Sequence, residues 1–181
     1  MQNLINALIN YSRANASDIT FEEVDLNLVM KDTLDSLSEA IKEKNAIVTF
    51  ENLPVVKAIP VQIGQVFLNL VSNAIKYSKK DLPPVITVTV SMIQNTELPA
   101  DFNPGSEAYW KITFIDNGIG FDQQHADKVF ELFQRLHGKL EYSGTGIGLA
   151  ICKKIMLNHK GAISAVAQAE KGASFSIFIP A

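Results

Sequence analysis

Apolar residues recur along this chain in two rhythms, one helical and one alternating, and their succession predicts most of the elements. Residues 1–14 place Leu4, Ile5, Leu8, Ile9 and Tyr11 at helical spacing. A helix that begins directly in its apolar pattern reads as the tail of a longer element. Asn15–Glu23 is polar and turn-rich, and Asp25 or Asn27 can cap a second helix over roughly 26–44, with Val29, Leu34, Leu37 and Ile41 inward. From Ala46 the rhythm shortens. AIVTF (46–50) and VVKAI (55–59) read as a strand pair broken at Asn52, Leu53 and Pro54, and Pro60 opens a long helix to about Ser78. ITVTVSMI (86–93) and YWKITFID (109–116) are β-branched and aromatic, the strongest strand signals, separated by the polar excursion QNTELPADFNPGSE. A long irregular stretch follows, interrupted by a short helical piece, DKVFELFQRL. A glycine turn at 144–148 leads into a last helix to about His159, and AISAVAQ (162–168) with ASFSIFIP (173–180) forms a closing hairpin.

Strands adjacent in sequence favour antiparallel pairing. The order predicts an α/β two-layer sandwich, with a mixed, mostly antiparallel sheet and the helices on one face. The strict strand–helix alternation of a dinucleotide-binding fold is absent. At 181 residues, 47% hydrophobic and 19% charged, the chain is one ordinary domain plus a short helical extension, which excludes a disordered or disulfide-stapled protein. The lone Cys152 fits a reducing, cytoplasmic setting, and its apolar neighbours suggest packing rather than a reactive thiol. No apolar run approaches the ~20 residues of a membrane span, and the opening lacks the basic start of a secretory signal. A net charge of −3 without blocks of like charge argues against nucleic acid as the main partner.

Three stretches carry candidate chemistry. On the helix QIGQVFLNLVSNAIKYS, the polar side holds Gln65, Asn69, Ser72, Asn73 and Lys76. Its amides sit where a solvated helix would carry charges. Asn69 and Asn73, four apart, share a face and could offer a neutral oxygen to Mg²⁺, or simply bridge locally. The second stretch is IDNGIG (115–120), a strand end at Asp116 followed by Gly118 and Gly120. It serves either as a carboxylate aimed at a base amino group or as a plain Asp-Asn-Gly turn. In SGTGIGLAICKKI (143–155), Gly144, Gly146 and Gly148 run into a helix whose free amides favour an anion. That spacing matches neither the dinucleotide nor the P-loop signature. Arg135 stands just ahead of this turn, where a cation on a flap could meet phosphates or merely pack on the surface.

Taken in order, NLVSNAIKYS, DNGIG, FELFQR, GTGIGLA and KGASF resemble the N box, first glycine box, F box, second glycine box and final glycine box of sensor histidine kinases. The resemblance covers residues ~46–181, the catalytic ATP-binding domain with its Bergerat-type fold. SLSEAIKEKNAIVTF and INYSR look like the connector and the end of the dimerisation helix, which sets an expected division into 1–24 and 25–181. The resemblance implies ATP and Mg²⁺ as cofactors. Asn73 then matches the metal ligand, Lys76 a phosphate contact and Tyr77 an aromatic neighbour of the adenine. Asp116 matches the carboxylate that reads the adenine amino group, with Gly118 and Gly120 shaping the pocket. Phe130 and Phe133 match the lid anchors. Gly144, Thr145, Gly146, Ile147, Gly148 and Leu149 match the phosphate cradle, Ser174 a polar neighbour of the base, and Arg135 a lid cation that aids transfer.

Asn69 stands where ATP-hydrolysing relatives carry Glu. An amide is no general base, so the resemblance implies phosphotransfer rather than hydrolysis. The family's acceptor is a His followed by an acidic residue and then usually Pro. His125, His137 and His159 do not fit that pattern; His125 reads as a surface residue, His137 as a lid residue, and His159 as a helix-end cation favouring the dipole. The expected function is therefore the ATP-binding catalytic domain of a two-component sensor kinase, a piece of a longer protein. It would pass the γ-phosphate to a histidine outside this chain and would be inactive in autophosphorylation alone. Its expected partners are the parent's dimerisation and phosphoacceptor domain and a response regulator receiver domain, with no nucleic acid and no membrane contact. The competing expectations are a nucleotide-gated interaction module without transfer, and a serine kinase of the anti-sigma type.

Overall fold

A computed structural model describes residues 20–99, 102, 105–134 and 145–181. The helical pattern of residues 1–14, Arg135, His137 and Gly144 lies outside the described residues. Among them the chain forms β1 (Glu22–Asp25), α1 (Leu26–Ser36), α2 (Ser38–Lys44), β2 (Ile47–Phe50), β3 (Val55–Ala58) and α3 (Pro60–Lys76). Next come β4 (Val85–Gln94), β5 (Ala108–Asp116), α4 (Gly148–Asn158), β6 (Ala162–Gln168) and β7 (Gly172–Pro180). The five-stranded sheet runs β2-β4-β5-β7-β6, antiparallel except for the parallel β2–β4 pair. The expected two-layer architecture is borne out.

Sheet register settles which residues meet the helices. Ile86, Val88, Ile112, Phe114, Phe175 and Ile177 alternate onto one face and are buried there. Against it α3 packs Ile63, Phe67, Leu70, Val71 and Ala74, with Phe67 edge-on to Phe114 at 5.1 Å between ring centres. From α4 come Ile151, Cys152, Ile155 and Met156. The opposite face carries hydroxyl pairs instead: Thr49 with Thr87 and Thr113 with Ser176, 3.4 and 3.0 Å apart.

Several local expectations give way. The helix over 26–44 breaks at Leu37. Thr33 and Ser36 donate their hydroxyls back to the carbonyls of Val29 and Asp32, both at 2.8 Å, a competition with the backbone ladder that bends helices. Asp25 does cap α1, its carboxylate accepting from the amide of Asn27 at 2.8 Å. The segments 47–50 and 55–58 do not pair with each other. Asn27 fastens Leu53 through both of its backbone groups, at 2.7 and 2.9 Å, and this turns the chain off the sheet edge. β3 then pairs antiparallel with β1, a strand that the turn-rich reading of 15–23 missed because only Val24 points inward. The folded unit thus takes in Glu22–Val24, residues ahead of the expected boundary. Among the described residues of DKVFELFQRL, Lys128–Phe130 forms a single 3₁₀ turn. Beyond it Phe133 adopts φ +65° and donates its amide to Gly146 at 2.9 Å, which draws this segment to the glycine turn.

Candidate functional site

Asp116 closes β5 on the helix-facing side of the sheet, by the same alternation that buries Ile112 and Phe114. One carboxylate oxygen, Oδ1, accepts the amides of Gly118 at 2.9 Å and Ala173 at 3.2 Å. Burial pushes the carboxyl above its usual range, and the two amides pull it back toward ionisation. The following turn is pinned: Ile119 donates to Tyr77 O at 3.0 Å, and a Cβ on Gly118 would lie 2.5 Å from that same carbonyl. Gly120 takes φ +59°, and a side chain there would run into the carbonyls of Gln168 and Gly172.

Asp116 looks into a cavity partly open to solvent, lined also by Asn73, Tyr77, Gly120, Phe121, Val129, Gln134, Leu149, Ala173 and Phe175. Phe121, Val129 and Phe175 make the walls apolar. Asn73 comes from the last turn of α3, Tyr77 caps that helix at its C-terminus, and Leu149 comes from the first turn of α4. The side chain of Asn73 has no hydrogen-bond partner among the described residues and is half-buried at the rim. Three of the separated sequence stretches therefore meet on one concavity, as the resemblance implied.

Other predicted residues stand farther off. Lys76 donates to the Tyr77 hydroxyl at 3.0 Å and sits 4.4 Å from its ring centre, so it holds the aromatic rather than lining the cavity. Asn69 accepts from Gln65 at 3.2 Å and donates to Gly148 O at 3.2 Å and to Cys152 Sγ at 3.7 Å. It ties α3 to the start of α4. Thr145 and Gly146 enter that helix, Gly146 at φ +69°, and Ile147 is fully buried beneath it. Phe130 is buried edge-on to Phe175, whereas Phe133 is exposed and donates its backbone amide to Gly146.

Ser174 is a correction. In register with Ile115 and Val166, it belongs to the opposite sheet face, and its neighbours Ala173 and Phe175 take the pocket positions. Strand parity along β7 carries that signal, since Ala173, Phe175 and Ile177 share the helix-facing side and Ser174 falls between them. Phe121, Val129, Ala173 and Phe175 were not singled out from sequence, because each is an ordinary core letter until the chain folds, and Gln134 because a lone amide in a polar stretch reads as surface. His159 is a second correction. It is buried, accepts the Ile59 amide on Nε2 at 3.0 Å and places Nδ1 2.8 Å from Ile155 O. Burial lowers its pKa, so it is a neutral tie and not a helix-end cation. Burial likewise pushes the Cys152 thiol up to about 12, consistent with packing. Among the described residues no three His, Cys, Asp or Glu side chains gather to hold a metal ion. A divalent cation here would need Asn73 together with oxygens of a ligand. No described helix is long and apolar enough to cross a membrane.

The family model described as histidine kinase-, DNA gyrase B-, and HSP90-like ATPase matches residues 58–181. The chain is 37% identical over 180 residues to cyanobacterial phytochrome A of Nostoc sp., covering 99% of this chain and 22% of that protein. The chain spans 22% of the length of the phytochrome relatives it matches. Among solved structures, the nucleotide-free catalytic domain of histidine kinase ThkA superposes with a TM-score of 0.68 at 25% identity, covering 90% of this chain and 96% of that one. Full-length ShkA in complex with AMPPNP superposes at 0.75 with 21% identity, covering 98% of this chain and 35% of that one.

Proposed function

The chain belongs to the histidine kinase-, DNA gyrase B-, and HSP90-like ATPase family, and we propose that it is the catalytic ATP-binding domain of a sensor histidine kinase, transferring the γ-phosphate of ATP to a histidine outside it. The observation that carries this reading is Asp116. Its Oδ1 is committed to two backbone amides, which leaves its second oxygen for a donor entering the apolar cavity that Asn73 shares. That arrangement suits a purine 6-amino group, with Phe121, Val129 and Phe175 receiving the flat ring. The triphosphate then runs toward the first turn of α4. There the amides of Gly146 to Leu149 have no earlier helical turn to bond, and the helix dipole favours negative charge.

The residues present fit Mg²⁺ held by phosphate oxygens: among the described residues Asn73 contributes an unpartnered amide oxygen and no acidic cage competes. When bound, the ion would neutralise charge across the phosphates. In the transfer, an imidazole nitrogen lone pair forms the new N–P bond as the bond to the bridging oxygen breaks and ADP leaves. Asn69, engaged with Gly148 and Gln65, has no lone pair basic enough to activate water, which favours transfer over hydrolysis. Arg135, as a lid cation, would steady the transferring group. The acceptor belongs to the dimerisation domain of the parent protein, with the residues ahead of Glu22 as the end of its helix and linker. The phosphoryl group passes on to a receiver domain in the cytoplasm.

The test mixes this protein with a separately supplied acceptor-helix dimer and γ-labelled ATP. Acid-labile, base-stable label on the acceptor is expected, and none without it. ATP binding without any phosphohistidine would overturn the transfer and leave a nucleotide-gated module.

A further inference from the structure

Asn117, the middle letter of Asp-Asn-Gly, reads in sequence as turn chemistry and nothing more. In the structure its side chain acts on a neighbouring strand. Its Oδ1 accepts the amide of Val85 at 2.9 Å, and its Nδ2 donates to the carbonyl of Pro83 at 3.1 Å. Its backbone amide adds a third bond, to Val85 O at 3.3 Å. The β4–β5 ladder ends at the Ile86–Asp116 pair. The carboxamide of Asn117 therefore supplies one further rung, presenting a donor and an acceptor as a peptide group would. This rung lies between Asp116, which lines the cavity, and Gly118, whose amide holds the Asp116 carboxylate.

The geometry of the turn gives that rung a consequence for the site. Asp116 Oδ1 reaches Gly118 N across two residues, so the bond survives only while residue 117 keeps its φ and ψ. Downstream the turn is tied at Ile119, which donates to Tyr77 O at 3.0 Å and accepts from Glu170 N at 2.7 Å. Upstream the ties on residue 117 are its own three bonds to 83–85, two of them made by the side chain. Without the carboxamide, one backbone bond at 3.3 Å holds that end, and the exposed amide of Val85 and carbonyl of Pro83 turn to water instead of to residue 117. A carboxylate that loses its Gly118 contact keeps only the longer Ala173 amide bond, at 3.2 Å, and one bond no longer fixes the direction of its second oxygen.

We infer that Asn117 is a positioning residue: by clamping the Asp116–Gly118 turn to residues 83–85 it fixes the direction of the carboxylate that reads the purine, and so sets adenine selectivity without touching the nucleotide. This rests on the reading of Asp116 given above. A purely structural clip would weaken the fold and affect every nucleotide alike. A positioning clip acts on the one contact that Asp116 makes.

The experiment titrates ATP and purine riboside triphosphate, which lacks the 6-amino group, into the wild-type protein, Asn117→Ala, Asn117→Asp and, as a control, Thr113→Val. Thr113 bonds Ser176 on the far sheet face, away from the cavity. Thermal melting of each protein accompanies the titrations. The wild type is expected to prefer ATP. Asn117→Ala should reduce that preference about tenfold or more, the scale of one charge-assisted hydrogen bond, with little change for the analogue. Asn117→Asp keeps the acceptor for Val85 and loses the donor to Pro83, so it should fall between, and it decides the matter if Asn117→Ala does not fold. Thr113→Val should keep the wild-type preference whatever its melting temperature. Equal loss of both nucleotides in the Asn117 variants, or an unchanged preference, overturns the inference. A wild type that binds both nucleotides equally overturns the adenine reading of Asp116 and the inference with it, a result separable from the first two.

Discussion

A half-buried carboxylate facing an apolar pocket has to be held there, and Asp116 shows how. Its pKa is raised, first by burial, with the amides of Gly118 and Ala173 opposing. For an acid raised in the folded state, the stabilising contribution is complete below the unfolded value and disappears as pH climbs through the folded one. At neutral pH the ionised group is therefore a cost to the fold. Asp116→Asn keeps an oxygen for both amides and removes the charge. It is expected to melt at or above the wild-type temperature at pH 7, with the difference vanishing below about pH 4. Its ATP affinity should fall by the equivalent of roughly 1.5–3 kcal/mol. Melting curves across pH and calorimetric titration check both halves; a lower melting temperature at pH 7 would show that the charge supports the fold. At this scale Asp116 and Asn73 were legible, because a strand-terminal carboxylate and an amide on a helix are unusual letters in those places. Ser174 was misread, because a residue's sheet face depends on its register with Ile115 and Val166.

Between elements, two side chains join α3 to α4 at opposite ends. Asn69 bonds Gly148 at the start of α4, and His159 at its end accepts from Ile59, the residue that precedes α3. Phe21 covers the imidazole edge-on at 5.1 Å. Burial lowers the pKa of His159 against the smaller opposing pull of Ile155 O. For a base depressed in the folded state, the stability is present above the unfolded value, near 6.5, and is lost as pH falls toward the folded one. The protein is thus expected to lose melting temperature on acidification from about pH 6.5. His159→Gln offers an acceptor to Ile59 without a titrating ring, and its curve should be flatter over that interval. Parallel curves for the two proteins would assign the acid sensitivity elsewhere. The existence of α3, α4 and the four long strands followed from periodicity alone. The break at Leu37 and the strand β1 did not: the first follows hydroxyls of Thr33 and Ser36 bonding carbonyls of their own helix, and the second needs Asn27 to turn the chain at Leu53 so that β3 comes alongside.

Over the whole molecule, one continuous core joins the sheet to α1, α3 and α4, and the cavity opens between that core and the turn after β5. A ligand bound there touches several elements at once, so it should stabilise the entire unit by mass action. Mg·ATP is expected to raise the melting temperature above the rise given by ATP with a chelator. Asn73→Ala should abolish that extra increment and retain most of the chelator-independent rise. If the two rises shrink in proportion, Asn73 is not the ligand of the ion.

Hydrophobic rhythm, being local, decided most of the elements, and the order of five short motifs decided the family, because spacing along a chain survives whatever the chain folds into. Tertiary structure alone decided the rest. Parity put Ala173 rather than Ser174 behind Asp116, burial left His159 neutral, and the carboxamide of Asn117 became a rung of the sheet. Each of these depends on which distant backbone group lies within about 3 Å of a side chain, and no pattern along the sequence encodes that distance until the strands are in register.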